Sequence, residues 1–139
     1  MRLGRRRDGG AAAVETALVL PILLLIVFGI IDFGRMLNAQ ITLTEAAREG
    51  ARAEALGADV DSRVDTATRG LGGTDTVVID WDESLECESS ADPEDDAVIT
   101  LTYNFSFITP VGGLAGLFSG EGFGGDVTIT GVGVMPCRA

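Results

Sequence analysis

The sequence predicts an α+β chain. It has a long N-terminal helix, half transmembrane and half extracytoplasmic, then a short second helix and a small three-stranded antiparallel sheet. Three observations predict it. Residues 11–31 form an apolar run whose one charged residue is Glu15. Residues 32–56 carry helical spacing with no proline. Three later stretches are rich in strand formers, and one of them alternates cleanly with a period of two.

The apolar run comes first. A bilayer core is about 30 Å thick and a helix rises about 1.5 Å per residue, so about 20 apolar residues span it. Ala11 to Ile31 reaches that length, and its body is Leu, Ile, Val and Phe. Arg2, Arg5, Arg6 and Arg7 precede it. By the positive-inside rule they hold the N-terminus in the cytoplasm and place the rest of the chain outside. Pro21 removes one backbone donor in mid-span and reads as a tolerated kink. Glu15 is the anomaly, because an ionisable residue within a membrane segment marks a functional position unless it sits near the headgroups.

Residues 32–56 continue the helix, and Gly57 stops it. Phe33, Leu37 and Ile41 recur every fourth residue, and Ala47, Ala51 and Ala55 carry a stripe onward in small residues. Glu45, Arg48, Glu49 and Arg52 offer three- and four-residue charge pairs on the wetter side. The small-residue stripe fits two partners equally, this chain's own sheet or another subunit.

Residues 59–139 then form a small outer domain. Val60, Val64, Ala67 and Leu71 share one face of a short amphipathic helix that ends at Gly72-Gly73. Strands are expected at Thr76–Trp81, Ala97–Ile108 and Asp126–Met135, and a meander is the economical topology. In the second, Ile99, Leu101, Tyr103, Phe105 and Phe107 form the face expected against the helix. In the third, Val127 and Ile129 share a face, then Gly131 and Gly133 take those places while Val132 and Val134 sit opposite. A bulge near Gly131 would account for that switch.

Two loops remain. The acidic loop DWDESLECESSADPEDD offers Asp80, Asp82 and Glu86 as weak calcium candidates. It lacks EF-hand spacing and the turn glycine, which favours a solvated charge run over a metal site. Thr109–Gly125 is a glycine-rich connection with Leu114, Leu117, Phe118 and Phe123, able to fold over the sheet edge or to offer apolar anchors to a partner. Cys87 and Cys137 both lie on the outer side, and two cysteines allow one intrachain bridge.

Composition excludes several functions. The net charge is −11, and four of the ten arginines lie in the first seven residues, so the outer domain is strongly acidic and should repel nucleic acid. There is no histidine and no lysine. That removes histidine general-base catalysis, a P-loop lysine, Schiff-base chemistry and histidine-ligated metal. Two cysteines are too few for a four-thiolate zinc site. The expectation is a non-enzymatic chain without a cofactor.

The order of features at the N-terminus carries a resemblance. An arginine-rich leader, Gly10, Ala11-Ala12-Ala13-Val14-Glu15 and then the apolar run resembles the processing site of type IV prepilins and pseudopilins. The resemblance implies a membrane prepilin peptidase that cuts between Gly10 and Ala11, making residues 1–10 a cytoplasmic leader. It also implies that Glu15 pairs with the new N-terminal amine of a neighbouring subunit during assembly. An ordinary secretory signal peptide and an uncleaved anchor are the rival readings; the run closes on no convincing signal-peptidase site.

Asp32-Phe33-Gly34-Arg35 and Thr44-Glu45-Ala46-Ala47-Arg48-Glu49-Gly50-Ala51-Arg52 extend the match. Over roughly Arg5 to Leu56 the chain is similar to TadE-like proteins, the TadE/TadG minor pseudopilins of tight-adherence (Flp) pilus systems. This implies a pilin-like architecture and a structural role in pilus assembly. It also implies a single-pass position in a bacterial cytoplasmic membrane. The implied partners are other pilin or pseudopilin subunits and the inner-membrane pilus platform. The alternative is a membrane-tethered acidic extracellular module that binds a ligand or calcium.

Overall fold

The structure is a computed structural model that describes residues 9–73, 76–87, 95–109 and 126–137. Helix α1 runs from Gly9 to Ala55 and passes through Pro21. Helix α2 follows at Val60–Thr68, extended by a single 3-10 turn at Arg69–Leu71. Strands β1 (Val77–Ile79), β2 (Asp96–Phe105) and β3 (Val127–Pro136) form one antiparallel sheet in the order β1-β2-β3. The expected α+β fold class is what the chain adopts, and a pilin-like architecture is consistent with it.

The chain divides into two compact units. One holds the described residues up to Phe33 together with 107–109. Its helical part is exposed along the apolar run; Leu18, for example, is 70% exposed. This helix is long and apolar enough to cross a membrane, which makes it a candidate span.

The other unit holds the described residues from Gly34 to Ser106 and from Asp126 onward. Its core lies between one face of α1 and the sheet. Ala39, Leu43, Ala46, Ala47 and Ala51 of α1 are buried with Ile99, Leu101 and Phe105 of β2. Val77, Ile79 and Ile129 complete the sheet side, and Val60 and Val64 of α2 close the edge. The small-residue stripe therefore packs on this chain's own sheet. Phe33, Leu37 and Ile41, the larger residues spaced along the same helix, are exposed instead.

The sheet reaches the helix so closely because β3 offers no side chains where they meet. The register of β2 with β3 is continuous from Asp96↔Pro136 to Phe105↔Val127, one residue opposite one throughout. The bulge expected near Gly131 does not form. Burial along β3 alternates without a break through Ile129, Gly131 and Gly133, while Val132 and Val134 point outward. The glycines hold the inward places because the helix backbone lies there. A Cβ on Gly131 would stand 2.8 Å from the Leu43 carbonyl, and one on Gly133 would collide with the Ala47 carbonyl. Gln40 adds a cross-link, its Nε2 donating to the Thr130 carbonyl at 2.9 Å.

The helix ends follow their local chemistry. At the end of α1, Ala58 N–H donates to Ala53 O at 2.8 Å and Gly57 N–H to Glu54 O at 2.9 Å. Gly57 has φ +64°, so the pair is a Schellman stop that satisfies carbonyls the helix would leave open. The Asp59 carboxylate caps α2 by accepting from Ser62 N–H at 3.3 Å. Val64 and Leu71 face the core as their spacing predicts, and Thr68 is buried with its hydroxyl donated to Val64 O at 2.7 Å. Glu49 makes its ion pair across to Arg63 of α2 at 3.5 Å. Both groups are well exposed, so this pair contributes little.

Candidate functional site

The residues marked for function fall into three places. The first is the start of α1. Gly10 is its second residue, Ala11 its third, and both are exposed. Glu15 is exposed as well, one turn further on. Among the described residues no ion pair includes it. Thr16 beside it returns its hydroxyl to the Ala12 carbonyl at 2.8 Å, which leaves the carboxylate as the polar group this turn presents outward. Of the expected leader, residues 1–10, the first eight lie outside the described residues and Gly9 and Gly10 open α1.

The second place is Asp32, which directly follows the charge-free run. Its side chain is 2% exposed. A buried carboxylate is tolerated only where donors replace the lost water. Asp32 finds them in the segment that leaves β2. Oδ1 accepts from Ile108 N–H at 3.4 Å, and Oδ2 accepts from Thr109 N–H at 3.2 Å and from the Thr109 hydroxyl. Sequence reasoning noted Asp32 as part of a motif and assigned it no contact. The strand expected to reach Ile108 stops at Phe105, and the following residues turn to meet the helix. Three residues along α1, the Arg35 guanidinium lies over the Phe105 ring at 5.1 Å from its centre.

The third place is the acidic loop. Asp80 N–H continues the ladder by donating to Thr100 O at 2.9 Å, and Leu85 rejoins β2 through paired bonds with Val98. Residues 81–84 are an excursion between these two points. Asp80 Oδ1 holds it by accepting from the N–H groups of Asp82 and Glu83 at 3.2 and 3.3 Å. Ser84 covers Thr100, its hydroxyl accepting from Thr100 N–H at 3.1 Å. So Asp80 is engaged in the turn, while Asp82 and Glu86 are exposed. Among the described residues no three acids or cysteines converge as a metal site. The acids from Glu88 to Glu94 lie outside the described residues, as does the glycine-rich connection beyond Thr109.

Cys87 and Cys137 form a disulfide with their Cα atoms 5.8 Å apart. It packs with Ala55 and Ala97 at the end of the sheet. Cys87 N–H donates to the Glu54 carboxylate at 3.1 Å, and Cys137 N–H to Asp95 O at 2.8 Å. The bridge therefore ties the acidic loop, the end of β3 and the last turn of α1 together.

A candidate single-span helix followed by a small α+β domain is consistent with a membrane-anchored protein of pilin-like architecture. Residues 10–52 match the family model described as TadE-like protein, so this N-terminal segment is similar to that family. The match covers the whole of the first place and Asp32, and it stops before α2. No curated protein and no solved structure matches the chain. The family suggests a protein associated with the Tad pilus, with pilin or pilus subunits as partners, and a structural rather than enzymatic part.

Proposed function

We propose that the chain is a structural, membrane-anchored minor pseudopilin that acts in assembly of a tight-adherence (Flp) pilus. It carries no catalytic residue of its own. A prepilin peptidase trims the leader between Gly10 and Ala11 on the cytoplasmic side. Residues 11–31 stay in the membrane, and the acidic domain stands outside. Glu15 then meets the Ala11 amine of a neighbouring subunit, because two opposite charges in a low-dielectric layer cost less together than apart. Assembly proceeds with pilin subunits and the inner-membrane platform.

The observation that carries this reading is the exposed carboxylate of Glu15 on an unbroken apolar helix, inside the segment that matches the TadE-like family. The disulfide supports the orientation, since such bridges persist on the oxidising side of the membrane. The test is N-terminal sequencing of the chain recovered from membranes of a host that has the peptidase. A start at Ala11 is expected. A start at Met1 would remove the trimmed amine and, with it, the assembly role.

A further inference from the structure

The geometry points to a second membrane contact: Asp32 pins the segment 107–109 at the outer end of the span, so that Ile108 sits in the lipid headgroup layer. This rests on the reading of residues 11–31 as a membrane helix. The starting point is depth. Residues 11–31 extend about 30 Å as a helix, which fills the hydrocarbon core and sets Asp32 at its boundary. The headgroup region beyond is roughly 5–8 Å deep on each side, the difference between full and hydrocarbon thickness shared between two leaflets. Ile108 N–H lies 3.4 Å from Asp32 Oδ1, and Thr109 N–H lies 3.2 Å from Oδ2. A carboxylate side chain and one hydrogen bond cover about the same distance as that layer. Hydrogen-bonded to Asp32, Ile108 and Thr109 cannot stand far above the lipid.

The chemistry of the segment suits that depth. Ile108 is 67% exposed, and Phe33, directly after the carboxylate, is 57% exposed. Apolar side chains of this size gain by leaving water. Irregular backbone approaches lipid only where its polar groups are satisfied by protein. The Asp32 carboxylate provides that satisfaction for two N–H groups and the Thr109 hydroxyl at once. In return, the donors keep a buried carboxylate satisfied at a point where water is scarce. Asp32 is thus a positioning residue, and the lipid headgroup layer is the partner of Ile108.

The experiment is tryptophan depth-quenching on the full chain in lipid vesicles. Trp81→Phe removes the native fluorophore, and Ile108→Trp and, separately, Leu24→Trp report two depths. Ile108 is exposed, so the larger ring is accommodated. The expected result is blue-shifted emission from position 108, quenched by lipids brominated near the glycerol and little by aqueous iodide. Adding Asp32→Ala should abolish that quenching while position 24 keeps its quenching by deeply brominated lipid. Emission from position 108 that is red-shifted and quenched by iodide, with position 24 still quenched from within the bilayer, overturns this inference alone. Position 24 quenched by iodide would instead overturn the span itself. Lipid quenching at position 108 that persists in Asp32→Ala overturns the pinning role.

Discussion

Gly133 lies against the carbonyl of Ala47, with no room between them for a Cβ atom. The sheet meets α1 backbone to backbone at this point, and at Gly131 against Leu43 one step along the strand face. The approach is steric in origin. An added methyl at either glycine must push the helix or the strand, because the obstacle is main chain rather than a flexible side chain.

Gly133→Ala is therefore expected to destabilise the α+β domain by at least the ~1–3 kcal/mol typical of overpacking, with Gly131→Ala somewhat milder. Gly34→Ala, in the interior of α1 where an added Cβ meets nothing within 4 Å, should instead be neutral to stabilising, by up to about 1 kcal/mol. Thermal melting of the detergent-solubilised chain checks the order. Equal effects at positions 34 and 133 would refute the close approach.

Two leucines on α1 separate the buried face from the open one. Leu43 is fully buried, whereas Leu37 is 46% exposed. Leu43→Ala should cost about 2–5 kcal/mol, as a cavity-forming core substitution. Leu37→Ala should cost under about 1 kcal/mol on the same measurement, since most surface changes are small. A large loss at Leu37 would mean that this face is covered.

The disulfide closes a loop with a sequence separation of 50 residues. The chain-entropy model assigns such a closure about 4 kcal/mol. Reductant, or Cys87→Ser with Cys137→Ser, should lower the melting temperature to the same value. Intact mass with and without reductant should differ by the two added hydrogens. A melt insensitive to reductant would show that the α1–sheet core alone holds the domain.

Glu15→Ala should impair assembly without altering the fold, because Glu15 is exposed. An unpaired charge costs about 2.5–3.5 kcal/mol at the centre of a membrane helix and less toward its end, so losing the partner of the Ala11 amine should weaken subunit association by at most a few hundredfold. Recovery of pilus components with the tagged chain from detergent-solubilised membranes measures this. Wild-type recovery with Glu15→Ala would separate the carboxylate from assembly.

Much of this protein is set by near-neighbour chemistry and is legible in one dimension. The apolar run, the proline-free continuation, the Gly57 stop and the alternation from Ile99 to Phe105 each repeat on a short period, so composition and spacing determine them. The Gly10-to-Arg52 motifs belong to the same class, because they are contiguous. What the tertiary structure decided involves partners far apart in the chain. Asp32 meets Thr109 across 77 residues, and Gln40 meets Thr130 across 90. No local period encodes such distances. The helix offered two stripes, Phe33-Leu37-Ile41 and the alanines, and hydrophobicity alone favours the larger residues for burial. The sheet covers the face that carries Leu43, Ala47 and Ala51 because the glycines at positions 131 and 133 leave room for the helix backbone there.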